Sequence, residues 1–500
     1  MHGKGTSAML IGIDLGTSMI KAAAFSRDGE ILAVASRRAT LRHVSTERIE
    51  QDFEEIVTAV GVVVSEIRAA TDRPAVAVGI TGQSDGLWLL DAEGRPVRPG
   101  ISWLDGRGND ALRRWMDDGT YEAVFRRNGN AMFAGCHAPL LAALADSEPD
   151  ALARAATASY LKDGLLQRLT GERVTEASDA SLPFLDTRTR QYDPEILRLL
   201  GLERYARLLA PVAPSPGRAY PLSAAGAALT GLPQGLPVYA GPFDMPACAV
   251  GAGITRVGDG IITIGTTLAC QVLVDRVETH GEPMGMTLCM PSPGRWLRAA
   301  PAMVGTASLD WVLSLVGAKP EALETLLAES VPGAHGVTAL PYFAATGERA
   351  PFCDVSARGQ LAGLSMGTTR ADLVMAVCES VAYAARHCID AAGFGGRLSV
   401  CGGGAGSRVW CQMIADVLQV PLHIARRPEV GARGAAIATM DVLGMPYDPA
   451  AWTRSEAVIE PRSDAAHYQD GFAHYLETVD AARALWHSPA RARLVGHNTH

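Results

Sequence analysis

The sequence predicts an α/β fold made of two related domains that face each other across a cleft. Strand-like and helical segments are mixed along the whole chain, as they are in α/β proteins. A strand–turn–strand unit occurs twice, roughly half a chain apart, which indicates a weak internal duplication. The chain of 500 residues is also too long for one ordinary domain of about 100–200 residues.

The first copy of this unit opens the chain. Apolar runs predict strands at 9–14 and 20–25, and the turn between them is Gly16-Thr17-Ser18. A hairpin turn at 27–30 then leads to a third predicted strand at 31–36. Apolar residues with helical spacing predict a helix over 53–70. A further predicted strand lies at 76–81.

The second copy lies in the middle of the chain. Strand-like segments at 261–264 and 268–274 flank the turn Gly265-Thr266-Thr267. The stretch 240–253, rich in Gly and Ala, is the predicted domain boundary. A second domain of the same type is therefore expected after it.

Composition excludes several classes of protein. The chain has 53 acidic and 45 basic residues and a net charge of −8, whereas a nucleic-acid binder needs a basic face. No apolar run approaches the ~20 residues that cross a bilayer, and a signal peptide is not recognisable. The nine cysteines include no C-x-x-C pair. We therefore expect a cytoplasmic protein without a nucleic-acid or membrane partner.

The first turn carries the motif Asp14-x-Gly16-Thr17-Ser18-x-x-Lys21. Glycine lets the backbone approach an anion, and successive N–H groups with hydroxyls hold phosphate oxygens. A carboxylate at the strand end can hold Mg²⁺ through water. The alternative is an ordinary hairpin turn with a capping aspartate. The second turn at 265–267 favours phosphate binding, because two such turns can hold one polyphosphate.

A third motif, Gly402-Gly403-Gly404-Ala405-Gly406-Ser407, follows a predicted strand and precedes a predicted helix. It is not a Rossmann fingerprint, since the last glycine is replaced by Ser407, and a Walker A loop is absent from the sequence. The loop is instead expected to present its backbone to a nucleotide base and ribose.

Several motifs in order resemble the FGGY carbohydrate kinases, members of the actin-like (ribonuclease H-like) ATPase superfamily. Asp14-Leu15-Gly16-Thr17-Ser18 resembles the first phosphate loop of that family. The resemblance covers residues 9–445, and its further matches are 162–171, 175–181, 347–351, 357–372, 402–416 and 431–436.

The resemblance implies two actin-like domains that bind ATP and Mg²⁺. It places an N-terminal domain at 8–250, a C-terminal domain at 251–485 and a tail at 486–500. Asp14 would hold Mg²⁺ through water, and a homodimer is compatible with the resemblance. The implied ATP-binding residues are Asp14, Gly16, Thr17, Ser18, Lys21, Gly265, Thr266, Thr267, Gly305, Gly403, Gly404 and Ser407.

Asp244 is the predicted catalytic base. Gly241-Pro242-Phe243-Asp244 matches the segment in which the family keeps its catalytic aspartate. An alcohol becomes a good nucleophile when a carboxylate accepts its proton as the phosphorus–oxygen bond forms. The alternative role is helix N-capping ahead of Pro246. The flanking match favours catalysis.

The resemblance also implies a substrate pocket with polar groups and one aromatic wall. Its residues are Gln83, Ser84, Asp85, Trp103, Asp105 and Arg107. The alternative for two of them is a surface ion pair between Asp105 and Arg107. Xylulokinases, which the chain resembles overall, typically carry Met-His after the glutamine, and glycerol kinases carry Arg-Glu. Ser84-Asp85 is closer to the L-xylulose and erythritol kinase branch.

The predicted function is ATP-dependent phosphorylation of a primary hydroxyl of a small ketopentose, tetritol or pentitol. One alternative is a non-catalytic ATP-binding module of the actin superfamily, which would need neither Asp244 nor the pocket. Two alternatives within the enzyme class are a glycerol kinase and a quorum-signal kinase.

Overall fold

A computed structural model describes residues 8–344, 347–426 and 428–488. Its strands are β1 Met9–Leu15, β2 Met19–Phe25, β3 Ile31–Arg38, β4 Arg42–His43, β5 Ile49–Gln51, β6 Ala75–Gly82, β7 Trp88–Leu90, β8 Gly100–Ile101, β9 Thr157–Ser159, β10 Leu185–Asp186, β11 Gln191–Tyr192, β12 Tyr220–Pro221, β13 Pro237–Ala240, β14 Gly260–Ile264, β15 Leu268–Val274, β16 Met286–Cys289, β17 Trp296–Ala302, β18 Thr338–Leu340, β19 Gln360–Ala362, β20 Leu398–Cys401, β21 Leu422–Ile424 and β22 Ala457–Ile459.

The helices lie between and after these strands. They are α1 Phe53–Ala69, α2 Asn109–Asp117, α3 Thr120–Asn128, α4 His137–Ser147, α5 Pro149–Arg154, α6 Leu161–Thr170, α7 Ala177–Ala180, α8 Pro194–Leu199, α9 Ala224–Thr230, α10 Asp244–Gly251, α11 Thr306–Leu315, α12 Leu323–Glu329, α13 Arg370–Ala391, α14 Arg408–Leu418, α15 Val430–Leu443, α16 Pro449–Trp452 and α17 His467–Trp486. Short 3₁₀ helices are Glu203–Leu208, Pro320–Ala322, Ala334–Gly336 and Gly403–Gly406. Within the described ranges, no helix has the length and apolar character needed to span a membrane.

The chain forms two compact units that are interleaved in sequence. Unit 1 contains the described residues of 8–255, 274–297 and 426–454, and unit 2 contains those of 256–273, 298–425 and 455–488. The predicted domain bounds, 8–250 and 251–485, stay a prediction. They divide the chain at one point, whereas each compact unit is made of three separate segments. The predicted tail 486–500 also stays a prediction: Trp486 is buried and ends α17, and residues 489–500 lie outside the described ranges.

Unit 1 is built on a six-stranded sheet in the order β12-β13-β6-β1-β2-β3, in which β1, β6 and β13 are parallel. Alternate residues of a strand face opposite sides of its sheet. Ile11 and Ile13 of β1 accordingly pack in one buried cluster with Val60 of α1. Leu10 packs in another cluster with Ala436 of α15. Helices therefore cover both faces of this sheet.

Small residues let α15 lie very close to the sheet and to α10. A Cβ on Gly12 of β1 would be 2.1 Å from the Ala432 carbonyl oxygen, and one on Gly434 would be 1.8 Å from that of Ala247. Glycine at these points is required because no side chain fits. This packing explains why 426–454 belongs to unit 1, although the sequence places it in the C-terminal domain.

Unit 2 contains a sheet with the same topology. Six consecutive strands of this seven-stranded sheet run in the order β17-β15-β14-β20-β21-β22, in which β14 pairs with β15 antiparallel, and β14, β20 and β21 are parallel. The corresponding run in unit 1 is β3-β2-β1-β6-β13-β12. The duplication inferred from the two turns thus extends to a run of six strands in each sheet, and the predicted α/β class is confirmed.

Candidate active site

Three segments of unit 1 meet at the carboxyl edge of its parallel strands. Asp14 lies at the end of β1, Gln83 follows β6, and Asp244 lies four residues after β13. The three strands are neighbours in the sheet, with Asp14 opposite Thr81 of β6. Because ligands of open α/β sheets bind beyond the carboxyl ends of the strands, this edge is the expected site.

Asp14 and Lys21 face each other across the β1–β2 hairpin. The Asp14 Oδ1 atom is buried and has no hydrogen-bond partner. Burial raises the pKa of Asp14 to about 6, Lys21 opposes this shift, and Glu429 adds to it. The Lys21 Nζ lies 3.4 Å from Glu429 Oε1, and the Glu429 side chain is 8% exposed, with Oε2 also unpartnered.

These carboxylates fit a hydrated Mg²⁺. The ion prefers oxygen ligands and usually keeps waters while it binds one or two carboxylates and substrate phosphates. A Cβ on Gly431 would be 2.9 Å from Asp14 Oδ2, so glycine preserves space around this carboxylate. Among the described residues, no group of three or more His, Cys, Asp or Glu side chains is set to hold a metal by itself. Water and phosphate would therefore complete the shell.

Glu429 was not predicted from the sequence. It directly precedes α15 and the matched stretch 431–436, but a single glutamate before a helix is usually only a cap. Its backbone is left-handed, with φ 68°, and its side chain makes no cap hydrogen bond. Only the fold brings it to Asp14.

The predicted phosphate turn and the predicted pocket share one hydrogen-bond chain. The Thr17 hydroxyl donates to Gln83 Oε1 at 2.9 Å and accepts from Trp103 Nε1 at 2.9 Å. Gln83 donates to Gln51 Oε1 at 2.7 Å, and Gln51 donates to the Thr17 carbonyl at 3.2 Å. Gln51 was not predicted. Gly16 and Ser18, an exposed residue, complete this turn.

Ser84 and Asp85 follow Gln83 and are both buried. Ser84 lies near the Asp179 carboxylate, whose pKa is raised to about 7, mainly by burial. Asp179 and Asp163 each lie 2.8 Å from the fully buried Lys162 Nζ. The sequence match includes Lys162, Asp163 and Asp179, but no role was predicted for them. They form a buried ion network that holds the polypeptide behind the pocket.

Asp105 and Arg107 form the ion pair that was the alternative to substrate binding, but the pair is buried. The Asp105 carboxylate accepts from Arg107 Nε at 2.8 Å and from the Ile49 N–H at 2.7 Å. Arg107 also donates to Glu50 Oε1 at 2.8 Å. These bonds fix the loop that carries Trp103. Direct contact of Asp105 or Arg107 with a polyol stays a prediction.

Asp244 is the first residue of α10, and the N-cap position is occupied by Phe243. The aspartate is half-buried. Burial, followed by the charge of Asp14, raises the pKa of Asp244 to about 8. Strongly shifted carboxylates in such positions are common at catalytic sites.

The second turn, in unit 2, is held by backbone hydrogen bonds. Gly265 N–H donates to the Thr267 carbonyl at 3.0 Å, and Thr306 N–H donates to the Gly265 carbonyl at 2.9 Å. A Cβ on Gly305 would be 2.6 Å from the Thr266 carbonyl oxygen. The structure thus brings Gly305 together with the turn 265–267, all of which are among the implied ATP-binding residues.

The glycine loop after β20 divides into open and packed parts. A Cβ on Gly403 would meet nothing within 4 Å, whereas one on Gly404 would be 2.3 Å from the Ile264 side chain. The Ser407 hydroxyl accepts the Trp410 N–H and caps α14. Gly403 therefore offers open backbone for a ligand. Gly404 packs against Ile264 and Ser407 caps α14, so these two residues have structural roles in the loop.

Comparisons with known proteins show the family of this chain. Models of the N-terminal and C-terminal domains of the FGGY family of carbohydrate kinases match residues 9–251 and 261–440. An erythritol kinase of Brucella abortus is 32% identical over 96% of this chain and 97% of its own. A xylulose kinase of Escherichia coli is 29% identical over 86% of this chain and 89% of its own.

A solved structure gives the same result. The xylulose kinase from Rhodospirillum rubrum matches with a TM-score of 0.87 and 29% identity, over 96% of this chain and 100% of that one. Members of the family are ATP-dependent phosphotransferases, and the alternative of a non-catalytic module is thereby removed. The chain belongs to the FGGY family of carbohydrate kinases.

Proposed function

We propose that this kinase transfers phosphate from ATP to a primary hydroxyl of a four- or five-carbon polyol or ketose, with Asp244 as the general base. The observation that carries the proposal is the raised pKa of Asp244 at the carboxyl edge of the sheet, beside Asp14. The erythritol kinase of Brucella abortus supports a tetritol as the first substrate to test.

The substrate is held by the residues after β6 and by the Trp103 loop. Gln83, Ser84 and Asp85 offer hydrogen-bonding groups, and Trp103 offers an apolar wall. A polyol has one hydroxyl on each carbon, so a charged acceptor such as Asp85 can bind two neighbouring hydroxyls. The polyol would replace internal bonds such as the one between Thr17 and Gln83.

Asp244 accepts the proton of the attacking hydroxyl. The alcohol oxygen forms a bond to the γ-phosphorus while the bond from that phosphorus to the β–γ bridging oxygen breaks, and ADP leaves. An unionised carboxyl cannot accept this proton, so the reaction requires ionised Asp244. Asp14 and Glu429 would hold Mg²⁺ through water, and the ion, when bound, neutralises charge on the phosphates.

Phosphate contacts are assigned to both turns. Lys21 and the Thr17 turn belong to unit 1, and the turn 265–267 with Gly305 belongs to unit 2. Backbone N–H groups of such turns are suited to phosphate oxygens. The open backbone at Gly403 suits the nucleoside. The cytoplasmic location and the homodimer stay predictions.

A coupled ADP-release assay tests the proposal. The screen uses erythritol, pentitols, D- and L-xylulose and glycerol, with MgCl₂ and ATP. We expect a tetritol, pentitol or ketopentose to have the highest kcat/KM. Higher kcat/KM for glycerol would make the protein a glycerol kinase, and activity on none of them would overturn the substrate class.

A further inference from the structure

Glu348 is a buried carboxylate in unit 2 to which the proposed function gives no role. It is 1% exposed. Its Oε1 atom accepts three backbone N–H groups, from Met303 at 2.7 Å, Arg349 at 2.8 Å and Ala350 at 3.4 Å. Its Oε2 atom is buried without a hydrogen-bond partner. An unsatisfied buried oxygen costs stability, so a side chain that keeps one calls for an explanation.

The Met303 N–H links this carboxylate to the second phosphate turn. The next residue, Val304, accepts the Leu268 N–H at 2.5 Å. Gly305 then lies so close to the turn that a Cβ would be 2.6 Å from the Thr266 carbonyl oxygen. Ala307 N–H donates to that same carbonyl at 3.2 Å. The segment 303–307 is thus a clamp with Glu348 at one end and the turn 265–267 at the other.

A second buried glutamate in unit 2 offers a contrast. Glu379 on α13 is 4% exposed and accepts one N–H, from Gly333, at 2.7 Å. Burial raises the pKa of Glu379 and of Glu348 to about 7 in each case. The two residues resemble each other in burial and ionisation. They differ in what they hold, since only Glu348 bonds to the segment that contacts the phosphate turn.

We propose that Glu348 is a positioning residue for the nucleotide phosphates, which holds the segment 303–307 against the turn 265–267 through the Met303 N–H. This inference rests on the proposed function, because it assigns that turn to phosphate. The carboxylate does not touch the nucleotide. Its Oε1 is the acceptor that matters, so a glutamine, which keeps an oxygen there, preserves the clamp.

The test measures ADP binding by isothermal titration calorimetry in the presence of MgCl₂. We expect Glu348→Ala to raise the Kd for ADP at least tenfold, because three N–H groups lose their acceptor and the turn loses its support. Glu348→Gln should stay within threefold of the wild type. Glu379→Ala, the matched control, should lose thermal stability while its Kd for ADP stays within threefold of the wild type.

Hydrogen exchange gives a second readout that does not depend on nucleotide. The Thr306 and Ala307 amides should exchange faster in Glu348→Ala than in the wild type, and at the wild-type rate in Glu379→Ala. If the alanine variant does not fold, Glu348→Asp carries the same expectation, since its shorter side chain withdraws the acceptor from Met303.

Four outcomes are distinguishable. Wild-type affinity for ADP in Glu348→Ala overturns the positioning role, as does an equal loss in Glu348→Gln and Glu348→Ala. Equal losses in Glu348→Ala and Glu379→Ala would mean that any buried-acid deletion in unit 2 has this effect. Failure of the wild type itself to bind ADP would instead contradict the proposed function.

Discussion

The two strand–turn–strand units have the same scaffold and different chemistry. In unit 1, Leu15 pairs with Ile20 at the end of the hairpin, and the preceding pair is Asp14 with Lys21. In unit 2, Ile264 pairs with Leu268, and the preceding pair, Thr263 with Ala269, carries no charge. The charged pair is therefore specific to the turn of unit 1.

The surroundings of the turns differ in the same way. Burial raises the pKa of Asp14, Lys21 opposes this shift and Glu429 adds to it, and the charge of Asp14 in turn helps to raise the pKa of Asp244. The turn 265–267 is held by backbone hydrogen bonds and by the close approach of Gly305. The proposed function therefore assigns phosphate binding to both turns of the duplicated sheet, and proton transfer and metal binding only to the groups around the turn of unit 1.

The largest expected effect comes from Asp244, the carboxylate of unit 1 that is proposed as the general base. Asp244→Asn should lower kcat by about two to four orders of magnitude, the usual loss when a general base is removed. The Kd for ADP should change less than threefold, because the amide keeps the shape of the carboxyl. The control is Asp441→Asn, a carboxylate of α15 bonded to the Tyr447 hydroxyl, which should keep normal turnover. Normal turnover in Asp244→Asn would remove it from the mechanism.

Equivalent positions in the two hairpins provide the next test. Asp14→Ala should lower kcat by about 10²-fold, because it removes a carboxylate that is proposed to hold Mg²⁺ at the phosphates. Thr263 occupies the register position in unit 2 that corresponds to Asp14 in unit 1. Thr263→Ala should change kcat less than threefold. Steady-state kinetics at saturating ATP and MgCl₂ would show this asymmetry. Comparable losses in both variants would mean that the turns do not differ in chemistry.

Substrate preference should depend on unit 1 alone. Asp85→Ala should lower the ratio of kcat/KM for the best polyol over that for glycerol by tenfold or more, since a lost charged hydrogen bond costs ~1–3 kcal/mol and ~1.4 kcal/mol is a factor of ten. Glu348→Ala in unit 2 should leave this ratio unchanged. An unaltered ratio in Asp85→Ala would show that Asp85 does not set specificity.

The smallest effect is on stability. Because the pKa of Asp244 is raised in the folded protein, its ionisation opposes folding, so stability decreases as pH rises from about 4 towards 8. Asp244→Asn removes this dependence and should have a higher Tm than the wild type at pH 8, by a few degrees. Thermal unfolding at pH 4 should show little difference. A variant that is less stable than the wild type at pH 8 would contradict this assignment.

Much of the scaffold could be predicted from the sequence, because local patterns determine it. Helical spacing of apolar residues predicted 53–70, and the observed helix α1 is Phe53–Ala69. The two turns were recognised because glycine and threonine follow buried strands. Gly305 was placed through the resemblance, and it lies against the second turn.

Contacts between residues distant in sequence could not be predicted. Glu429 reaches Asp14 only because glycines let α15 approach the sheet, and its position 415 residues later in the chain gives no local signal. Gln51 joins the Thr17 chain through a short strand that pairs far along the sequence. The burial of the Asp105–Arg107 pair likewise depends on Glu50 and Ile49, which only the tertiary fold brings to it.

The pH dependence of kcat/KM for the best polyol tests the central claim most directly, since the polyol itself does not ionise. At saturating ATP and MgCl₂, wild-type activity should fall as pH decreases, with an apparent pKa well above the ordinary aspartate value of about 4. This acid limb should be absent from the residual activity of Asp244→Asn. A flat wild-type profile between pH 5 and 9, or the same acid limb in the variant, would contradict the account.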